Sequence, residues 1–128
     1  MRNYYQEVSY ETLDVQTHHF PEWTLGNNTA YIDIHNRNYY QPYSGANPEG
    51  YENNDQRTER EHTLLKNAIE SIEMQVPADL IIDANNDGYV DAISFVIYGE
   101  TDGWAELLWP HRWSLYSEPV YIHGVRAW

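Results

Sequence analysis

Residues 83–94 read Asp-Ala-Asn-Asn-Asp-Gly-Tyr-Val-Asp-Ala-Ile-Ser, an arrangement of oxygen donors that suits a hard cation such as calcium. Asp83, Asn85 and Asp87 stand at alternate positions, so a curled loop turns their three side-chain oxygens inward. Gly88 permits the sharp turn. The carbonyl of Tyr89 and the carboxylate of Asp91 fall where the seventh and ninth ligands of an EF-hand loop sit. The twelfth place is Ser94, where an EF-hand carries a bidentate Glu. The resemblance to an EF-hand therefore stops at Asp91. A water, a backbone carbonyl or another acid must complete the shell, and Asp79, Glu100 and Asp102 are near in sequence. The plain alternative is an Asn/Asp/Gly turn, since these residues also favour turns for backbone reasons.

Other residues with chemical capacity are scattered. His18 and His19 are adjacent, which in a strand sends them to opposite faces and stops them gripping one metal. Trp104, Trp109, His111 and Trp113 lie in one aromatic segment, where the indoles suit either a groove wall or a core. There are no cysteines, so thiol catalysis, disulfides and cysteine zinc sites are excluded.

The elements that must position these residues can be read from patterning. At 128 residues and 41% apolar content the chain has the size and composition of one domain. Residues 3–8 end a helix, and 13–20 alternate as a strand does. Residues 21–55 form a long irregular loop, punctuated by Gly26-Asn27-Asn28, Tyr43-Ser44-Gly45 and Pro48-Glu49-Gly50, with a short strand at 30–34. Thr58 and Glu61 form a capping box ahead of Leu64, Leu65, Ala68, Ile69 and Ile72, which predicts an amphipathic helix over 58–75, stopped by Pro77. Its Glu59, Arg60, Glu61, Lys66, Glu70 and Glu73 read as a solvated face. Residues 89–98 read as a strand buried on both faces, and 120–126 as a strand or half a hairpin. The expected class is α+β, or three-layer α/β, with a mixed twisted sheet and one long helix.

Four phrases in series carry a family likeness. Asn-Tyr-Tyr-Gln-Glu-Val-Ser-Tyr at 3–10, Arg-Glu-His-Thr-Leu-Leu-Lys-Asn-Ala-Ile at 60–69, the cation loop, and Leu-Leu-Trp-Pro-His-Arg-Trp-Ser-Leu-Tyr at 107–116 resemble the secreted metallopeptidases of the immune inhibitor A type. The resemblance implies a zinc-dependent endopeptidase acting on protein or peptide substrates. It also implies a zincin-like domain, of which residues 1–128 form the front part, and a structural calcium. Trp109, His111 and Trp113 would approach its cleft. The zinc motif of that family, His-Glu-x-x-His, sets two histidines one helical turn apart with a glutamate as general base. It occurs nowhere in this sequence, and position 58, where the reversed motif would need a histidine to partner Glu61-His62, is Thr58. Zinc thus belongs to the intact parent, with ligands outside this sequence, and no catalytic residue can be named within it. These residues are expected not to hydrolyse peptides unaided.

Charge narrows the partners. Seven basic against 20 acidic side chains give a net charge of −13, which repels phosphate backbones and attracts calcium. No run approaches the roughly 20 apolar residues of a membrane span. Calcium loops of moderate charge saturate where free calcium is high, which favours a secreted, cell-surface or periplasmic setting. A second reading, from a different class, is a calcium-dependent extracellular binding module for glycans, since 12 Tyr and 5 Trp supply flat apolar faces.

Overall fold

Asn53 sets the start of the longest element. Its side chain accepts the backbone N–H of Gln56 at 3.0 Å, and the Gln56 amide oxygen accepts the N–H of Glu52 at 2.9 Å. This reciprocal cap satisfies one free donor of the first helical turn and one just ahead of it, so the helix begins one turn before the predicted Thr58-Glu61 box. In the computed structural model, which describes residues 2–26, 29–100, 103 and 106–128, the helix is α2, Asn54–Ile72, with a 3-10 turn at Glu73–Gln75 carrying it to Val76. Asp102, Trp104 and the Asn27-Asn28 turn lie outside the described residues.

The chain divides into two compact units, one reaching to Ala30 and the other spanning Tyr31–Trp128. In the first, α1 (Arg2–Val8) ends where Tyr10 and Glu11 adopt left-handed backbone, with Glu11 N–H returning to the Gln6 carbonyl at 2.7 Å. Residues 13–20 run on without joining a ladder, so the predicted strand is not formed there. Alternation alone does not make a strand, which also needs a second segment to form a ladder with. His18 and His19 are both exposed.

In the second unit the predicted strand at 30–34 is replaced by a polar knot. Asp33 accepts the hydroxyls of Tyr40 at 2.6 Å and Tyr31 at 2.9 Å, the backbone N–H of His35 at 2.8 Å, and meets His35 Nδ1 at 2.9 Å. The irregular stretch that follows is tightly sewn. Tyr43 N–H donates to the Tyr51 carbonyl at 2.9 Å, and Tyr51 N–H to Gln41 at 3.0 Å. Gly50 passes so near Pro42 that a Cβ would meet its carbonyl at 2.5 Å, a contact no larger residue can relieve against backbone. Arg60 of α2 lies over the Tyr39 ring at 3.9 Å and donates to the Glu49 carbonyl at 2.9 Å, which fastens this loop to the helix.

Strands β1 (Val120–Ile122) and β2 (Val125–Ala127) pair antiparallel. His123 and Gly124, both at positive φ, make the two-residue turn whose twist suits a hairpin. Val120 and Ile122 face inward against α2, joining Ile69, Val76, Leu107, Leu115 and Ala127 in a small core. The architecture is α+β in the broad sense, one long helix packed on a two-stranded sheet.

The mixed twisted sheet is not formed among the described residues. Residues 92–98 join no ladder among the described residues, and just before them Tyr89 makes an isolated parallel bridge with Arg126. The apolar pattern of this run is right for a strand, but a strand also needs backbone bonds to a second segment, and the run makes none among the described residues. No helix among the described residues is long and apolar enough to cross a membrane.

Candidate cation loop and adjoining cleft

The loop at 83–91 is shaped by its own side chains. Asp83 reaches across the curl, Oδ1 accepting Asp87 N–H at 3.0 Å and Oδ2 accepting Gly88 N–H at 2.9 Å. Asn85 Oδ1 also accepts Asp87 N–H at 3.0 Å, and Asp87 Oδ1 accepts Tyr89 N–H at 2.9 Å. Asp91 Oδ2 closes the far end on Ala84 N–H at 2.8 Å. Asn86 and Gly88 take left-handed backbone, at φ 59° and 87°, which lets the chain reverse within so few residues.

The loop is anchored on both sides of its turn. Val90 N–H donates to the Arg126 carbonyl at 2.8 Å and Arg126 N–H to the Gly88 carbonyl at 3.0 Å, so β2 holds the exit. Asp91 N–H donates to the Ile82 carbonyl at 2.8 Å, bringing the two ends together. All five predicted donors, Asp83, Asn85, Asp87, Tyr89 and Asp91, thus lie on one curl. A carboxylate oxygen that accepts one N–H retains a lone pair for a cation. The donor set of carboxylate, amide and carbonyl oxygens fits a hard ion. Among the described residues no three His, Cys, Asp or Glu side chains are gathered so as to hold a metal ion. Of the nearby acids, Asp79 shares a shallow groove of about 420 Å3 with Asp83. Glu100 instead accepts Arg37 through its backbone carbonyl and lines a different cavity.

That larger cavity is an open cleft of about 1000 Å3 in the second unit. Trp109, His111 and Trp113 line it together, along with Glu61 and His62 of α2 and the inner edge of residues 92–97. Ser94, the twelfth loop position, faces this cleft. Glu61 corrects the reading of a solvated helix face: it is only 7% exposed and its Oε1 lies 2.6 Å from His111 Nε2. His62 is 1% exposed, with Nδ1 2.5 Å from Ser117 Oγ and Nε2 buried without a partner. Burial pushes the His62 imidazole down, against the opposing pull of Glu61 and Glu118, so it is held neutral. A signal for both was present in the sequence. His62 continues the stripe of Leu65, Ile69 and Ile72, and Glu61 that of Leu64, Leu65 and Ala68, at helical spacing.

Three polar contacts join α2 to the segment beyond the cleft. They are Glu61 with His111, His62 with Ser117, and Lys66 with Glu118 at 3.1 Å. Leu107 and Leu115 add buried apolar anchors on either side of His111. Chemically the cleft offers an acid–imidazole pair beside indole faces, which binds and orients. It holds no second imidazole or carboxylate placed to complete a metal site among the described residues. Compared with protein-family models, curated proteins and solved structures, the chain matches none of them.

Proposed function

We propose that this chain is a non-catalytic wall of a secreted zinc metallopeptidase domain of the immune inhibitor A type, zincin-like in architecture and pinned by one structural calcium at residues 83–91. One observation carries the proposal. Directly after the loop, residues 92–98 present apolar side chains but make no backbone–backbone hydrogen bond among the described residues, Val96 and Tyr98 being 96% and 99% exposed while Ile93, Phe95 and Ile97 edge the cleft. A run of this kind is the interior strand of a larger sheet, since neither its peptide groups nor its side chains are suited to water. The four family phrases name the sheet it belongs to.

In this reading calcium neutralises the carboxylates of the loop and locks the turn that feeds the strand. Zinc supplies the Lewis-acid chemistry of peptide hydrolysis in the parent, held by residues that this sequence does not contain. The cleft walls formed by Trp109, His111 and Trp113 orient the peptide. The glycan-binding alternative is favoured by Trp113, 53% exposed and standing in the cleft, since an open indole face stacks on sugar rings.

Reading the coding sequence past codon 128 discriminates between them. A His-Glu-x-x-His codon run within the following segment is the expected result, together with no peptide hydrolysis by residues 1–128 alone. An unrelated domain or a stop, with retention of the chain on a glycan array, would overturn the peptidase reading.

A further inference from the structure

One peptide bond in the turn at 83–91 is set up for chemistry on itself. Asp87 and Gly88 form an Asp-Gly pair, both exposed, and nothing lies within 4 Å of the place where a Cβ on Gly88 would stand. The Gly88 nitrogen is thus unshielded, which lets it attack the side-chain carboxyl of the residue before it.

Three side chains surround this pair in complementary roles. Asp87 Oδ1 accepts the N–H of Tyr89 at 2.9 Å, which turns its carboxyl carbon back over the Gly88 peptide. Asp83 Oδ2 accepts the Gly88 N–H at 2.9 Å, so a carboxylate already touches the hydrogen that this nitrogen must lose. Asn85 Nδ2 donates to Asp87 Oδ2 at 2.9 Å, and the amide is oriented by Asn85 Oδ1, which accepts the Asp87 N–H at 3.0 Å. The oxygen facing that donor is the one that must depart.

We propose that Asp87-Gly88 is a site of autocatalytic succinimide formation and isoaspartate isomerisation, with Asp83 as the base and Asn85 polarising the leaving oxygen. In the first step a bond forms between Gly88 N and Asp87 Cγ while the Cγ–Oδ2 bond breaks. Asp83 takes the Gly88 hydrogen, and the departing oxygen collects this proton and one from solvent and leaves as water. In the second step water adds to the main-chain carbonyl carbon of Asp87 and breaks its bond to Gly88 N. The chain then runs through Cβ and Cγ, the old main-chain carbonyl becomes a free carboxylate, and the mass is unchanged. Only the chain and water take part, and the proposal does not rest on the cation reading.

The consequence falls on the anchorage of the turn. The Gly88 carbonyl accepts Arg126 N–H at 3.0 Å and Val90 N–H donates to the Arg126 carbonyl at 2.8 Å. A backbone lengthened by one methylene ahead of Gly88 loses the register of both bonds, so isomerisation detaches the turn from β2.

The test incubates the full chain in oxygen-18 water with chelator, folded and in guanidinium chloride. Hydrolysis of the succinimide places heavy oxygen at residue 87, and fragmentation of a chymotryptic peptide separates it from Asp102-Gly103, also an Asp-Gly pair. Label is expected to enter roughly tenfold faster in the folded chain, since the geometry is held and the base is in contact. Asp83→Asn and Asn85→Ser are each expected to remove most of that advantage, with amide exchange at Val90 reporting that the turn is still formed. Should a variant lose the turn, the comparison of folded and denatured wild type decides alone. A folded rate at or below the denatured rate, or a rate unchanged in either variant with the Val90 amide protected, would overturn the proposal.

Discussion

Asp83 Oδ2 accepts the backbone N–H of Gly88 at 2.9 Å, across the full width of the loop it opens. The bond requires Gly88 to hold φ +87°, where a Cβ would touch nothing within 4 Å but the backbone itself resists an L side chain. Gly88→Ala is therefore expected to destabilise the protein by about 1 kcal/mol through backbone strain alone. Urea unfolding measures this. An unchanged midpoint would mean that the left-handed turn is not formed in solution.

Asn53, and not Thr58, carries the cap of α2. Asn53→Ala is expected to cost about 1 kcal/mol, whereas Thr58→Ala, one turn inside the helix, should change stability by only a few tenths. Paired melting curves decide between the two starts, because a cap at Thr58 would reverse the ranking.

The difference between those two starts illustrates what the sequence makes legible. Thr58-x-x-Glu61 has the letters of a capping box, but Asn53 and Gln56 have them too, and the deciding factor is which pair meets free N–H groups. The turn at 83–91 is legible, since its residues are close in sequence and local bonds alone curl it. At 120–126 the pattern gives only a strand or half a hairpin, whereas the structure folds the segment into a complete hairpin turning at His123-Gly124. Residues 92–98 carry a strand's apolar pattern without joining a ladder among the described residues, because a strand is a relation between segments and periodicity speaks only of one of them. Glu61 and His111 are 50 residues apart, and no spacing rule joins them.

Acid should unfold the second unit in two stages. Burial holds the His62 imidazole below its ordinary 6.5, so its contribution is complete above that value and is lost as pH falls through the depressed one. For Asp33, burial acts to raise the carboxyl, but hydrogen bonds from Tyr40, the His35 backbone, Tyr31 and the His35 ring outweigh it. They hold it below its ordinary 3.8. That stability is present above 3.8 and disappears as pH falls through the lowered folded value. Thermal midpoints measured against pH should lose the first stage in His62→Phe and the second in Asp33→Asn. A wild-type curve that is flat across both ranges would contradict the assigned environments.

Removing the Leu107 side chain tests whether the small core holds the segment beyond the cleft to α2. Leu107→Ala is expected to cost about 2–5 kcal/mol, the range for a fully buried leucine. A cost below about 1 kcal/mol would place Leu107 in contact with solvent.

The calcium assignment is tested most directly by melting the full chain in excess calcium and again in excess chelator. Binding to the folded loop at a hundredfold excess over Kd predicts stabilisation of about 2.7 kcal/mol, read as a higher midpoint in calcium and abolished in Asp83→Ala. Coincident melting curves with and without calcium, together with no heat of binding in a titration, would contradict a calcium-pinned loop at residues 83–91.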